Sequence, residues 1–450
     1  MQELPQVIAD QFKGASDFIH RRLHREQTEI TLMYMLTVAD EQKIFDLIIH
    51  PFYSIDMKDT FVDYVQSMPR QVALKDAKKT AGLMAEGYAL LVMKSGVFLI
   101  DFRKFPNSAI REATVETVIQ GPQNAFSEDI GTNITLLRQR YTRPSLMVES
   151  ASVGIATQTA LTLLYDSAAA DPKLVDDMKR RIKEINVPVV QSAGQMAQLL
   201  GQPTRTLFPQ LMITERPDRT ALNITQGKIV VLMEGTPFAL IAPATFFDFF
   251  ASMEDLYQQY FITRFLAVLR YVSLLVSLTL PAGYVAVAGY NPEVLRAQLA
   301  LSIAGSRVAV PYPAFLEVLF MLVAMELLIE ASIRLPKSIG STATTVGGLI
   351  LGTAATEAGL VSSIMIIIVA TVAISNFVVP VNAMSFALRV AKYALLLLSA
   401  MFGLLGIVLG LVAMVGYLVS LDSFGQPYLK LYENDDRAEK ATQRQNGNAA

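Results

Sequence analysis

Apolar and polar positions follow two different rules along this chain, and the change falls near residue 260. Before it, short apolar runs alternate with amphipathic ones. Residues 30–36 (ITLMYML) form a β-prone run, and a polar, helix-prone stretch follows at 40–50. At 87–102, GYALLVMKSGVFLIDF reads as two strands joined by a turn at Lys94-Ser95-Gly96. The same order returns later. A strand is predicted at 159–165 (TALTLLY), then a helix at 172–186 with Leu174, Val175, Met178, Ile182 and Ile185 at helical spacing. The run 227–241 (GKIVVLMEGTPFALI) repeats the strand pair, and Gly87 aligns with Gly227 and Met93 with Met233. Strand, helix and hairpin therefore occur twice, which predicts two similar α/β subdomains, 1–120 and 146–258. Between them, a connector at 121–145 is predicted to be helical from about Pro122. It carries Glu128 and Asp129 early and Arg138, Arg140 and Arg143 late, a polarity that complements the helix dipole. Glu128 and Asp129 are adjacent, so on a helix they point about 100° apart and make a poor paired site.

From Tyr260 the pattern becomes long apolar stretches with isolated charges. Segment 265–289 can cross about 30 Å of hydrocarbon. Arg264 and Arg270 at its start favour a cytoplasmic face, and Pro281 predicts a kink. Segment 290–313, with Arg296, Arg307 and Pro311-Tyr312-Pro313, reads as an outer loop or an interfacial helix. Segment 314–333 is apolar but holds Glu317, Glu326 and Glu330, and Arg334-Leu335-Pro336-Lys337 closes it. Residues 343–360 are small and apolar, 361–380 are β-branched, Arg389 and Lys392 mark a charged break, and 394–420 reads as one spanning helix. If 343–360 re-enters, there are four spans and a cytoplasmic tail; if it crosses, there are five and the tail lies outside. The fold class expected is an α+β membrane protein. A cytosolic region of two similar α/β subdomains precedes an α-helical transmembrane bundle of 4–5 spans at 259–421, and a polar tail, expected to be partly disordered, follows at 422–450.

Composition agrees. Of 450 residues, 52% are hydrophobic and 17% charged, against about 25% charged in soluble domains. A net charge of −2 offers no basic surface for nucleic acid. The absence of Cys excludes disulfides, thiolate metal sites and Cys nucleophiles. The first 30 residues carry Asp10, Lys13, Asp17 and His20-Arg21-Arg22 but no signal-peptide core, so an unexported N-terminal domain is expected. His20 and His24 have the spacing of a helical metal pair, but Arg21, Arg22 and Arg25 repel a cation, which favours a solvated basic helix. Gly347-Gly348 lacks the Gly-Lys-Ser/Thr of a phosphate loop, no Gly-x-Ser-x-Gly occurs, and the three His all lie in the first 50 residues. No enzyme, cofactor or metal site is expected.

The candidate chemistry lies in the acids of the apolar region. Glu326 and Glu330 are four apart and share a helix face, whereas Glu317, nine residues earlier, lies about 180° away. Intramembrane acids face a bundle interior or water, so these could line a cation-attracting path; Glu330 could instead pair with Arg334. Glu357 is a further buried-acid candidate. Gly348 and Gly352, and Gly406 and Gly410, are spaced for close helix packing, and the Gly-rich stretch could also form a constriction.

The chain resembles the A subunit of spore germinant receptors, the GerA family, over nearly its whole length. The likeness rests on Gly121-Pro122, Ala125-Phe126, Glu128, Thr132-Asn133 and Arg138; on Phe208-Pro209-Gln210 and Thr214-Glu215-Arg216-Pro217-Asp218; and on Gly235-Thr236-Pro237-Phe238 with Pro243 to Phe250. It continues through Leu280-Pro281, Pro311-Tyr312-Pro313, Glu317, Glu326, Ile333-Arg334-Leu335-Pro336, Ile339-Gly340, Val346 to Gly352, Ala358 to Ser362 and Ser423 to Tyr428. Ser341 stands where the family usually has Gln, residues 1–110 are weakly similar, and the tail is short. A receptor A subunit and the signal-amplifying sporulation paralogue both stay open. The resemblance implies a spore inner membrane protein that works with a transporter-like B subunit and a C lipoprotein. It also implies a homo-oligomer, a pentamer, forming a ligand-gated monovalent-cation channel surrounded by membrane lipid. A secondary transporter subunit and a non-conducting scaffold of the germination complex are the alternatives.

Overall fold

In the computed structural model, residues 4–25, 28–55, 58–69, 71–72, 76–104, 112–201 and 205–430 are described. Strand β1 (Phe18–Arg25) pairs antiparallel with β2 (Thr28–Met35), and a helical stretch follows at 41–54. Then come β3 (Gln71–Val72), helix α1 (Ala77–Glu86), β4 (Tyr88–Met93) and β5 (Gly96–Asp101). The sheet order is β1-β2-β4-β5-β3. After α2 (Ile130–Arg140) the plan repeats as β6 (Leu146–Val153), β7 (Thr159–Asp166), α3 (Pro172–Glu184), α4 (Ala193–Leu200), β8 (Met212–Thr214), α5 (Pro217–Thr225), β9 (Ile229–Met233) and β10 (Ala239–Ala242). Its order, β6-β7-β9-β10-β8, is the same arrangement.

The glycine alignment read from sequence has a backbone cause. Gly87 (φ 110) and Gly227 (φ 78) each turn the chain from a helix into a central strand. A Cβ on Gly87 would lie 2.5 Å from the Val38 carbonyl, and one on Gly227 would lie 2.6 Å from that of Ala169. Val38 and Ala169 each come three residues after the end of the second strand of their sheet. Only glycine meets both demands.

Strand alternation divides each subdomain into two layers. Leu32 and Tyr34 pack with Ile44, Ile48 and Phe52 on one face, while Met33 and Met35 meet Ile8, Phe12 and Met84 on the other. In the second sheet, Leu161, Leu163, Val231 and Met233 pack on α3 and α4; Leu174, Val175, Met178 and Ile182 of α3 are buried at the spacing expected, while Ile185, expected in the same helix, is its C-cap and only partly buried. The opposite face, with Leu164, Val230 and Leu232, shares one core with Phe246, Phe249 and Phe250 and with apolar side chains of the helical region.

Two local expectations change. His20 to Arg25 is a strand rather than a basic helix, because β2 pairs with it along its length, from Phe18↔Met35 to Arg25↔Thr28. The connector helix starts at Ile130 rather than near Pro122. Asp129 caps it by accepting from Thr132 N at 2.6 Å, and the backbone before it is used in tertiary bonds, Phe126 N to Glu215 O and Gly235 N to Glu128 O.

The helical region comprises α6 (Tyr260–Gly289), α7 (Ala297–Ser306), α8 (Ala314–Ile333), α9 (Lys337–Glu357), α10 (Ser363–Phe377) and α11 (Asn382–Ser420). Among the described residues, α6 and α11 are long and apolar enough to cross a membrane. A straight α11 would measure about 58 Å. Instead Gly403 (φ 59, ψ −139) breaks it. A Cβ on Gly406 would overlap the Leu398 carbonyl, and one on Gly410 would lie 2.8 Å from Leu395 Cδ2. The chain has therefore reversed, and 394–420 is not one rod. Limbs 382–402 and 404–420 form a hairpin whose tip meets Tyr290 and Asn291 at the far end of α6. The second limb leads into β11 (Asp422–Ser423) and β12 (Gln426–Pro427), which dock back on the second subdomain. Ser423 Oγ donates to Gln210 O (2.8 Å), Tyr428 OH to Pro209 O (2.7 Å), and Phe246 N to Tyr428 O (2.9 Å).

Candidate functional site

The acids of α8 sit at three heights and have three different partners. Glu317, near the end of α8 distant from the sheets, is buried. It accepts from Ser362 N and Ser362 Oγ, both at 2.6 Å, and pairs with Arg307 Nε at 3.2 Å. Tyr284 OH lies 3.5 Å away. Ser362 is the N-cap of α10, so Glu317 ties the ends of α6, α7, α8 and α10 together. Two and a half turns further along, Glu326 turns toward α11. Arg389 donates to its Oε2 through Nε and Nη2, and Lys392 Nζ donates to Oε1 at 2.9 Å. Glu330 pairs with Arg334 at 2.9 Å on an exposed surface. Glu326 and Glu330 share a helix face by spacing but not a partner set.

Glu357 is exposed rather than buried. Ala355 faces the core, and two residues on is about 200° around the helix. A Cβ on Gly348 would lie 3.5 Å from Leu328 of α8, and one on Gly352 3.6 Å from Ile366 of α10, so both let α9 approach its neighbours. Gly406 and Gly410 serve the α11 hairpin. Pro336 is the N-cap of α9, and Arg334 closes α8. His20 and His24 lie four residues apart on a strand, about 13 Å, too far to share a metal.

Beneath the helices lies a clamp built by the Thr214-to-Asp218 stretch. The Glu215 carboxylate accepts from Val115 N (2.5 Å) and Glu116 N (2.9 Å). Arg216, wholly buried, reaches Asp218 through Nε (3.0 Å) and Nη2 (2.6 Å), and the carbonyls of Glu116 and Pro122. Pro217 occupies the first position of α5, where its missing N–H costs nothing. Arg219 pairs with Glu116 at 2.8 Å and reaches the Asp248 and Ala251 carbonyls. Tyr257 OH donates to Asp218 at 2.9 Å, and burial together with that carboxylate pushes the phenol pKa up. Arg270 of α6 closes the chain of contacts on Asp255 (2.5 and 2.9 Å) and the Phe250 carbonyl. Glu128 is exposed at the start of the connector.

The sequence offers Arg334 as a partner for Glu330, and the structure has that pair, but it does not point to the partners of Glu326. Arg389 and Lys392 registered only as a charged break. The usable signal was two cations three residues apart in an otherwise apolar helix, which demand an acid at the same depth. The docking role of Ser423 and Tyr428 had no signal, since it depends on the hairpin.

The profile of the Bacillus/Clostridium GerA spore germination protein family matches residues 6–444. Spore germination protein KA of Bacillus subtilis (strain 168) is 34% identical over 427 residues, covering 92% of this chain and 78% of its own length. Spore germination protein GerLA of Bacillus cereus is 33% identical over 436 residues, covering 95% and 89%. Among solved structures, the N-terminal domain of the A subunit of the Bacillus megaterium spore germinant receptor GerK3 matches at 25% identity and a TM-score of 0.41. It covers 55% of this chain and 95% of that domain. This chain belongs to the GerA family of spore germination proteins.

Proposed function

We propose that this chain is the A-type subunit of a nutrient germinant receptor in the spore inner membrane, and that the helices of several copies enclose a gated path for monovalent cations. A transporter-like B subunit and a C lipoprotein are the partners in this reading. The observation that carries it is the placement of Glu326 within the helical region of a spore germination family member. In the arrangement described, Arg389 and Lys392 neutralise Glu326, so we read this as a closed state; opening withdraws those cations and exposes the carboxylate to the path. The core shared by the second sheet, α6 and α11 supports a route by which a change in the soluble region reaches the helices. The N-terminal region is placed in the cytoplasm in this reading, with the helical rods crossing several times.

The test is potassium efflux from vesicles holding the chain with its B-type and lipoprotein partners, before and after nutrient. Nutrient-triggered efflux, changed at least about threefold by Glu326→Gln (at least about 0.6 kcal/mol on the barrier), is the expected result. A second reading is a non-conducting scaffold, favoured by the pairing of Glu317, Glu326 and Glu330 with basic side chains. Absence of efflux from an oligomer shown intact by its size in detergent selects the scaffold. Saturable uptake of one labelled solute would select a secondary transporter instead.

A further inference from the structure

The cluster of α8 and α11 does not balance its own charge. Arg389 and Lys392 face one carboxylate, Glu326, which leaves a surplus of one positive charge. It also leaves surplus donors. Both carboxylate oxygens are taken, yet Arg389 Nη1 and two of the three Lys392 N–H bonds have no acceptor among the described residues. The Tyr393 hydroxyl beside them is buried without a hydrogen-bond partner among the described residues. An unbalanced cation at membrane depth is costly, and proteins that keep one supply a counter-charge from elsewhere.

The surroundings indicate the direction from which that charge comes. The Lys392 side chain is 2% exposed and lies deepest, while those of Arg389 and Glu326, at 15% and 22%, both reach the surface of the bundle. Phe386 and Val390 flank Arg389 at 51% and 59% exposure, and the Phe386 ring lies 5.2 Å under the guanidinium. Arg389 is seven residues, about 10 Å, into α11 from the end nearest the sheets. A long basic side chain at that depth reaches the headgroup level, and basic pockets between helices on the cytoplasmic side, where the proposed function puts this end, hold anionic headgroups.

We propose that Arg389, Lys392 and Tyr393 form a binding site for a phosphate anion, carried by a lipid headgroup or free in solution, with Glu326 as the internal carboxylate that competes for the same donors. The site does not depend on the chain conducting ions.

The roles predict opposite signs. The purified full chain in neutral detergent is titrated with phosphatidylglycerol, with phosphatidylcholine as control, and separately with inorganic phosphate; bound ligand is counted by native mass spectrometry. Phosphatidylglycerol should bind in preference to phosphatidylcholine. Arg389→Gln and Lys392→Gln should each weaken it about tenfold, the worth of one charge-assisted hydrogen bond. Glu326→Gln should strengthen it, because the competitor is gone. Lys392→Arg should retain binding and guards against a folding artefact in Lys392→Gln. Competition by inorganic phosphate supports recognition of the phosphate group itself. Binding of inorganic phosphate without phosphatidylglycerol preference supports the site and assigns it to the free anion. If Glu326→Gln loses binding together with the other two, the triad is only structural and the proposal falls. If neither probe binds, the proposal is overturned; a smaller particle size for Arg389→Gln than for the unaltered chain would then assign the counter-charge to a second copy.

Discussion

Arg138 has no exposed surface, yet it carries a full charge into the joint between the two halves of the α/β region. Its Nε and Nη2 grip Asp17 at 2.6 and 2.8 Å, and Thr37 Oγ1 donates to the same carboxylate at 2.7 Å. Thr135 of the same helix donates to Thr37 O at 2.6 Å. The pair spans 121 residues of chain. Removing one partner of such a pair leaves an uncompensated buried charge, which costs about 3–5 kcal/mol. Arg138→Met should therefore lower stability by that order in denaturant unfolding of the full chain. The double variant with Asp17→Leu should recover most of the loss, because two apolar side chains need no counter-charge. Equal loss in the single and double variants would show that the pair holds the joint by shape rather than by charge. Sequence reading placed Arg138 late in a connector helix and assigned it to the helix dipole; nothing in the pattern tied it to Asp17.

At the scale of elements, the repeated strand–helix–hairpin unit was legible because its signals are local. Period-two runs, one amphipathic helix and a glycine before a central strand need only a dozen residues each. Gly227 sharpens the point. Its φ of 78 and the Ala169 carbonyl both reject a side chain, whereas Gly235 has a similar φ of 77 and open space around it. Gly227→Ala should cost clearly more than about 1 kcal/mol, and Gly235→Ala should cost less, since only backbone strain remains there. Thermal unfolding of both variants checks this; equal shifts would mean that the close approach to Ala169 relaxes freely. Elements that depend on a distant partner were not legible. β1 is rich in His and Arg and has no apolar alternation of its own, and it becomes a strand because β2 offers a full ladder.

At the scale of the whole molecule, both ends of the helical region are fastened to the second subdomain. Arg270 holds α6 to Asp255, and the turn after α11 holds the tail through Ser423 and Tyr428. The reversal at Gly403 makes this possible, because a straight α11 would carry the tail to the far end of α6. Asp422 therefore belongs on the same side of the bundle as Lys94 of the β4–β5 turn, and Val308, beyond α7, belongs on the other. The chain has no Cys, so single substitutions Asp422→Cys, Lys94→Cys and Val308→Cys can be labelled in sealed vesicles with an impermeant maleimide. Asp422→Cys and Lys94→Cys should react from one side and Val308→Cys from the opposite one. Labelling of Asp422→Cys together with Val308→Cys would mean that α11 crosses without turning back.

By itself the sequence determined the two regimes of hydrophobicity, the duplicated α/β unit, the family and the acids worth attention, because each is written in local composition or in ordered motifs. The Glu330–Arg334 pair is an i,i+4 contact that the sequence already offers, whereas the tertiary structure alone decided what Glu317 and Glu326 meet. Glu326 and Glu330 look equivalent along the chain, four residues apart on one helix. One meets Arg389 and Lys392 from α11, and the other meets only Arg334 of its own helix. Glu317 ties four helix ends together through Arg307 and Ser362. The physical reason is range: helix periodicity fixes the direction of a side chain within one element, while its electrostatic partner is set by which other element the packing brings to the same depth.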